Sequence, residues 1–544
     1  MKNKTKQVFS LLLIVVLCLT MLAGCTGNNS VSENTSEPLG TSKAADNTGS
    51  NTGSIVAYVG TNIFDSSLDP VKGAMSWGYS FTNAALLKVN TESEYVGDMA
   101  ADWNVSADAL TYTFTLRQGV KFSDGSELKA SDVVFTYETV KSRQAENENV
   151  DLTRLAAVTA EGDYKVVFTL SEPYSPFLDT TAMLGIVPAN TYDSTVFDQK
   201  PIGSGPWKIV QYDPNQQIIV TPNEHYYEGS APITRITLVY MDSEAALAAA
   251  HSGQLDVVMV SPDYASEQVN GMSMIPLETM DIRNISLPVL PQQITAGIKT
   301  GNDVTSDPAV REALAIGIDR KTIIQNAYNG VGKPATGFMG NLNWANADSY
   351  QDNREAEAVS LLENAGWLDS NGDGIREKNG IFCEFDVYAV QDRYVLAAAL
   401  AEDAARLGIK INPHSASWDQ ISANLNTAGV VWGWGQYSPT VLASLLHSRY
   451  VGSGGYDNVV GYQNPEVDAL IDRALGANSR EAAVTDWQAA QKLANADYPY
   501  LYLVNIEHCF FVSDRLDISL DTQIPHPHGH GSPIICNMKD WTLR

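Results

Sequence analysis

The sequence predicts an α/β protein of two lobes, and three observations carry that expectation. The first half shows period-two alternation broken by turns, and the second half alternates capped helices with short strands. The folded part is also too long for one packed unit. In the first half, "LTYTFTLRQGVKF" alternates Tyr112, Phe114 and Leu116, turns at Gln118-Gly119 and resumes with Val120 and Phe122, the pattern of a hairpin. "KASDVVFTYETVKS" follows with helical spacing, and "GDYKVVFTLSEP" reads as a strand. "GPWKIVQYDPNQQIIVTPN" is a second hairpin, turning at Asp213-Pro214-Asn215.

The second half carries explicit helix punctuation. "SDPAVREALAIGIDRKTIIQNAYNG" has Asp307 as N-cap, Pro308 in the first turn and Gly330 as a late stop. "EAEAVSLLENAGW" ends at Gly366, and "RYVLAAALAEDAARLGIKI" breaks at Gly408 into a strand. "NPEVDALIDRALG" repeats the scheme with Asn464, Pro465 and Gly476.

The N-terminus reads as a targeting segment. Lys2, Lys4 and Lys6 precede an apolar run from Val8 to Met21, and "LAGC" follows, which is the anatomy of a secretory signal over 1–24. The Leu-Ala-Gly-Cys ending resembles a lipobox, and the resemblance implies that Cys25 is acylated and becomes the first mature residue. Residues 25–54 hold almost no apolar mass and are expected to form a flexible tether. No other stretch is long and apolar enough to cross a bilayer.

Net charge is -28 at pH 7, which disfavours nucleic acid and anionic lipid as partners, since both need a basic stripe. Of five cysteines, Cys18 leaves with the signal and Cys25 is the lipidation site. Cys383, Cys509 and Cys536 remain, enough for one disulfide at most, so the fold must rest on its core.

Several ordered segments carry a family resemblance. They are "MAADWNVSADALTYTFTLRQGVKFSDGSELKASDVVFTYE", "PIGSGPWKIVQYDPNQQIIVTPNEHYYEGSAPITRITLVY", "SGQLDVV", "VREALAIGIDRKTII", "SLLENAGWLDSNGDGIREKNG" and "YQNPEVDALIDRA". In this order they resemble extracellular solute-binding proteins of family 5, which include the dipeptide-, oligopeptide- and nickel-binding receptors of ABC importers. The resemblance implies a bilobal periplasmic-binding-protein type II fold with an extra N-terminal subdomain at about 95–200. Lobe I would span 55–290, lobe II 291–499, and 500–544 would return to lobe I. It further implies a monomer with no required cofactor and no catalysis, working with ABC permease subunits and their cytoplasmic ATPases. The protein would sit on the outer face of the cytoplasmic membrane, or in the periplasm where there are two membranes.

The ligand stays open between a short peptide or peptide-like molecule and a nickel or other metal chelate. In "VWGWGQYSPTVLASLLHS" the peptide-binding members keep an Asp for the peptide amine, and that position falls on Gly435. Trp432, Trp434 and Tyr437 are candidate ligand walls, since such rings stack on flat or cationic groups. Arg143 corresponds roughly to an arginine with which nickel-binding members hold a chelate, and Arg393 lies near a carboxylate-binding arginine of dipeptide-binding members. His447 lies near, but offset from, a metal-binding histidine of the nickel group. His526, His528 and His530, in "QIPHPHGHGSPIICNMKDW", are candidate metal ligands, because neutral imidazole suits nickel, zinc and copper. The interleaved prolines equally suit a stiff packing loop.

"DSNGDGIREKNG" opens like a calcium loop at Asp369, Asn371, Asp373 and Gly374, but Gly380 stands where a bidentate Glu is needed. A structural turn is expected. The alternative of another class is an exported zinc-dependent hydrolase using the histidine cluster. Against it, the chain has no His-Glu-x-x-His and no Gly-x-Ser-x-Gly.

Overall fold

The computed structural model describes residues 53–544, apart from 66, 74–80, 148–149, 296, 339–341 and 526–533. Cys25 and the signal and tether expected before it lie outside the described residues. Gly53–Arg544 form one compact unit.

The architecture is organised by one long mixed sheet. Its order is Lys410–Ser415, Glu384–Ala389, Gly429–Trp434, Met272–Ser286, Tyr500–Ser513, Val257–Val260, Ser54–Tyr58, Arg235–Val239, Gln217–Pro222 and Trp207–Asp213, with Lys333–Pro334 added to Tyr500–Ser513. Two of these strands are far longer than the rest, Met272–Ser286 and Tyr500–Ser513. They run antiparallel and belong to both ends of the sheet. Ile282–Ser286 pair with Gly429–Trp434, while Cys509–Val512 pair with Val257–Val260. Between those regions the ladder of the two long strands breaks, from Glu278 opposite Glu507 to Ile282 opposite Asn505. Thr279, Met280 and Asp281 form this bulge, which bends strands locally and interrupts pairing.

Each end of the sheet has its own apolar core. Ile55, Trp207, Ile236, Phe510 and Trp541 pack at one end. Ile285, Leu314, Leu400, Val431 and Leu503 pack at the other, beneath the helices Pro308–Gly317 and Tyr394–Ala404. A separate antiparallel sheet, in the order Ala100–Val105, Thr111–Leu116, Lys165–Leu170 and Leu155–Ala160, makes the N-terminal subdomain with the helix Ala130–Ser142. The fold is bilobal.

Two local expectations change. The Thr111–Leu116 strand does not fold back at Gln118-Gly119; it pairs with Ala100–Val105 and Lys165–Leu170. Alternation correctly marks a strand, but the nearest turn does not choose its partner. The helix expected to run unbroken to Gly330 is two, Pro308–Gly317 and Arg320–Tyr328, because Asp319 turns out of the helix and caps the second through Thr322 N–H at 3.1 Å. Asn329 and Gly330, at φ 52° and 82°, are both left-handed and end it, with Gly330 N–H donating back to Ile324 O at 3.3 Å. The Trp207–Asp213/Gln217–Pro222 hairpin forms as expected, with Asn215 at φ 55° in its turn.

In the loop that opens like a calcium site, the oxygens bind their own backbone. Asp369 accepts from Gly372 N–H at 2.7 Å and Gly374 N–H at 3.0 Å, and Asn371 accepts from Asp373 N–H at 2.8 Å. These are the bonds of a structural turn. Cys383, Cys509 and Cys536 are all free thiols, the first two buried in strands or cores.

Candidate functional site

The site is built on the Gly429–Trp434 strand. Alternation puts Trp432 and Trp434 on one face, 5.6 Å apart between ring centroids. The register sets Asn284 opposite Trp432 and Ile282 opposite Trp434, and Asn505 lies beyond Ile282. Directly opposed antiparallel residues share a face. A row therefore runs from Trp434 across the long strands to the bulge, where a cavity of about 310 Å³ is lined by Glu278, Thr279, Ile282, Phe338 and Asn505.

Sequence reading missed two further rings. Trp418 opens the helix Trp418–Ser422, held by a Ser417/Gln420 capping box, and its ring is 5.9 Å from Trp432. Tyr456 sits 5.7 Å from Trp418 and 5.5 Å from Trp432. The Ser-x-x-Gln pattern at 417–420 was the available signal for Trp418. For Tyr456, no periodicity pointed to it.

Arg393 follows the Glu384–Ala389 strand in the short turn Gln391–Arg393 and is only 8 % exposed. One Nη1–H donates to Val431 O at 3.3 Å, and the guanidinium carbon lies 6.0 Å from the Trp418 ring centroid. Its Nε–H has no partner, and no ion pair joins it to a carboxylate among the described residues. Burial, followed by the neighbouring charge of Arg283, pushes its pKa down to about 10. Arg283 itself is neutralised by a buried ion pair with Asp281. The indole N–H groups of Trp432 and Trp434 are likewise buried without partners, as are both amide atoms of Asn284. Unpaired buried charge and unmade hydrogen bonds are costly in a fold, which makes this cluster a functional-site candidate.

The other candidates fall elsewhere. Tyr437 is buried; its hydroxyl donates to the Pro525 carbonyl, and its own carbonyl accepts from Trp344 Nε1–H at 2.7 Å. Pro525 is the last described residue before the histidine segment; His526, His528 and His530 lie outside the described residues. Beyond them, Cys536 Sγ donates to Gln523 Oε1 at 3.2 Å and closes the segment's base. Arg143 caps the helix Ala130–Ser142 in the N-terminal subdomain, with Tyr192 as an electrostatic neighbour, and no contact among the described residues joins it to the tryptophans. His447 is structural: its Nδ1 accepts from Arg449 N–H at 3.1 Å and its Nε2 faces Asp472 Oδ1 at 3.2 Å. Both ring nitrogens are engaged, so neither is open to a metal. Among the described residues, no group of three or more His, Cys, Asp or Glu side chains is arranged to hold a metal ion.

Two ends of one sheet joined by a bulged pair of strands, with unpaired donors and exposed rings beside that junction, define a bilobal binding protein. The family described as "Bacterial extracellular solute-binding proteins, family 5 Middle" matches residues 94–455, and the chain belongs to this family. It is 31 % identical to Protein XP55 of Streptomyces lividans over 86 % of each chain. It is 28 % identical to the oligopeptide-binding protein AppA of Bacillus subtilis, covering 92 % of this chain and 94 % of that one. The crystal structure of NikZ from Campylobacter jejuni in complex with Ni(L-His) superposes with a TM-score of 0.75 at 21 % identity, over 90 % of this chain and 99 % of that one. Proteins of this family are extracytoplasmic solute-binding components of ABC transporters, and no described helix is long and apolar enough to cross a membrane.

Proposed function

We propose that this protein captures a short peptide or peptide-like ligand between its lobes and delivers it, without catalysis, to an ABC permease. The observation that carries the reading is the pair of strands Met272–Ser286 and Tyr500–Ser513, which link the two ends of the sheet and lose register between Glu278 and Ile282. A bulge there is a natural hinge. A ligand touching both lobes gains contacts only when they close, and so shifts the hinge equilibrium. Arg393 supplies the anchor for a ligand carboxylate through its fork of donors, and Trp432 and Trp434 supply a wall. The permease and its ATPases are the expected partners, Cys25 the acyl anchor, and the receptor acts as a monomer.

The test uses the mature chain starting after Cys25. Native mass spectrometry identifies co-purifying ligand, and small-angle scattering follows closure. A bound peptide and a smaller radius of gyration on adding it are expected. Persistent failure of a broad peptide library to bind or to compact the protein would refute the peptide reading. Anchoring is checked separately: Cys25→Ser should release the protein from membranes.

A second reading, a metal chelate as cargo, is supported by the Tyr437–Pro525 bond, which ties the base of the histidine segment to a buried residue that follows Trp434 closely in the chain. Calorimetry with nickel–histidine separates the two. Binding lost on replacing His526, His528 and His530 together favours the chelate.

A further inference from the structure

Trp418, Trp432 and Tyr456 form a closed triangle of rings with centroids 5.5 to 5.9 Å apart. The three corners are not alike. Trp418 is fixed at the start of a capped helix and Trp432 lies within a central strand. Tyr456 comes from a segment outside regular structure whose Gly452, Gly454 and Gly455 adopt φ of 74°, 93° and 63°. It is 44 % exposed, and its hydroxyl makes no hydrogen bond among the described residues. Aromatic contact with the other two rings is thus its principal attachment.

Beside this triangle stand buried donors that Tyr456 leaves unsatisfied, Trp432 Nε1–H and Arg393 Nε–H. We propose that the Tyr456 ring holds the seat of a planar, acceptor-bearing group of the ligand and is displaced by it. A flat conjugated acid repeats what Tyr456 gives, a ring against Trp418 and Trp432, and adds what Tyr456 lacks, oxygens for the guanidinium and the indole. An aliphatic acid supplies only the oxygens. The ligand class this favours is an aromatic or conjugated carboxylate, including a peptide ending in an aromatic residue. Tyr456 sets the threshold a ligand must exceed, which makes it a specificity-determining residue.

The inference rests on the reading of this cluster as ligand-binding, but its test needs no lobe closure. Benzoate and cyclohexanecarboxylate, alike in charge and size but differing in planarity, are titrated by calorimetry into the mature chain and into Tyr456→Ala, Tyr456→Leu and Trp418→Ala. Thermal melts confirm that each variant is folded. Benzoate should bind about 10-fold more tightly than cyclohexanecarboxylate. Tyr456→Ala and Tyr456→Leu should tighten benzoate about 5-fold by removing the competitor, and Trp418→Ala should weaken it about 10-fold. Equal affinity for the two acids, weaker benzoate binding in the Tyr456 variants, or no benzoate binding to Tyr456→Ala would each overturn the proposal. A protein that binds benzoate in this pattern yet never closes on peptides would refute the importer reading alone.

Discussion

Arg480 and Asp179, far apart in the chain, meet at 3.2 Å between Nε and Oδ1, with the guanidinium 4.3 Å from the ring centroid of Tyr95. The pair joins the helix Phe177–Met183, next to the N-terminal subdomain, to the helix Arg480–Ala496, and residues of both helices share one apolar core. Ser175 adds two bonds nearby, donating N–H to Leu475 O at 2.9 Å and Oγ–H to Ala474 O at 2.8 Å at the end of the preceding helix. Burial holds the Asp179 pKa above its usual value, with Arg480 opposing.

These contacts favour the arrangement in which the two regions touch. Removing Arg480 strands a buried carboxylate, a change that typically costs about 3 kcal/mol. Arg480→Ala is expected to expand the molecule in scattering and to weaken ligand binding in proportion to the lost population of the compact form. An unchanged radius of gyration would show that the pair does not govern closure.

Arg393 separates binding from stability. As a buried guanidinium without an ion pair, it is held at a desolvation cost that Asp392 and Asp281 only partly offset. Arg393→Met should leave the melting temperature unchanged or raise it, while ligand affinity falls about 100-fold, as for loss of a buried charged anchor. A variant that melts earlier and still binds would assign Arg393 a structural role instead.

Asp98 supplies a pH signature. It is 7 % exposed, accepts from Ala85 N–H at 2.9 Å and Tyr227 O–H at 2.7 Å, and burial raises its pKa to about 6. The folded state therefore holds this proton more tightly than the unfolded chain does. Its stabilising contribution is full below about pH 4 and is lost as pH rises through about 6, an effect of about 3 kcal/mol. Denaturant melts of the wild type and Asp98→Asn from pH 4 to 7.5 should show the difference between them changing from about pH 4 up to about pH 6 and level above that. A pH-independent difference would contradict the assignment.

Tyr437→Phe removes the donor to Pro525 and leaves the ring in place. Hydrogen exchange should quicken around Gln523–Pro525, with a global stability loss of about 1 kcal/mol. Unchanged exchange there would show that the segment is anchored without it, by the Cys536–Gln523 bond and by Asn537, which accepts from Gln523 Nε2 and donates to Thr522 Oγ1 at 2.9 Å.

Much of the scaffold was legible because it is written in local chemistry. Asn464 caps the helix Pro465–Leu475 and Gly408 ends its segment at φ 74°, and both act over a few residues. The hairpin misplaced at Gln118 failed because strand partners are chosen across the chain. The site was half legible. Trp432 and Trp434 stand out by composition and spacing, whereas Tyr456 joins them only through folding. That Arg393 makes no ion pair has no sequence signal, since Asp392 is its immediate neighbour and both Asp392 and Asp281 act on it electrostatically without pairing with it.

The placing of Tyr500–Ser513 at the centre of the long sheet also bears on when the protein folds. That strand pairs with Met272–Ser286 over nearly its whole length and with Val257–Val260 beside it. Until it has been synthesised, each half of the sheet presents an open edge and the most distant contacts cannot form. Such late, long-range pairing slows folding. For a chain exported before it folds, this order of assembly would gain time, and truncation before Tyr500 should leave a collapsed, aggregation-prone species rather than a smaller working domain.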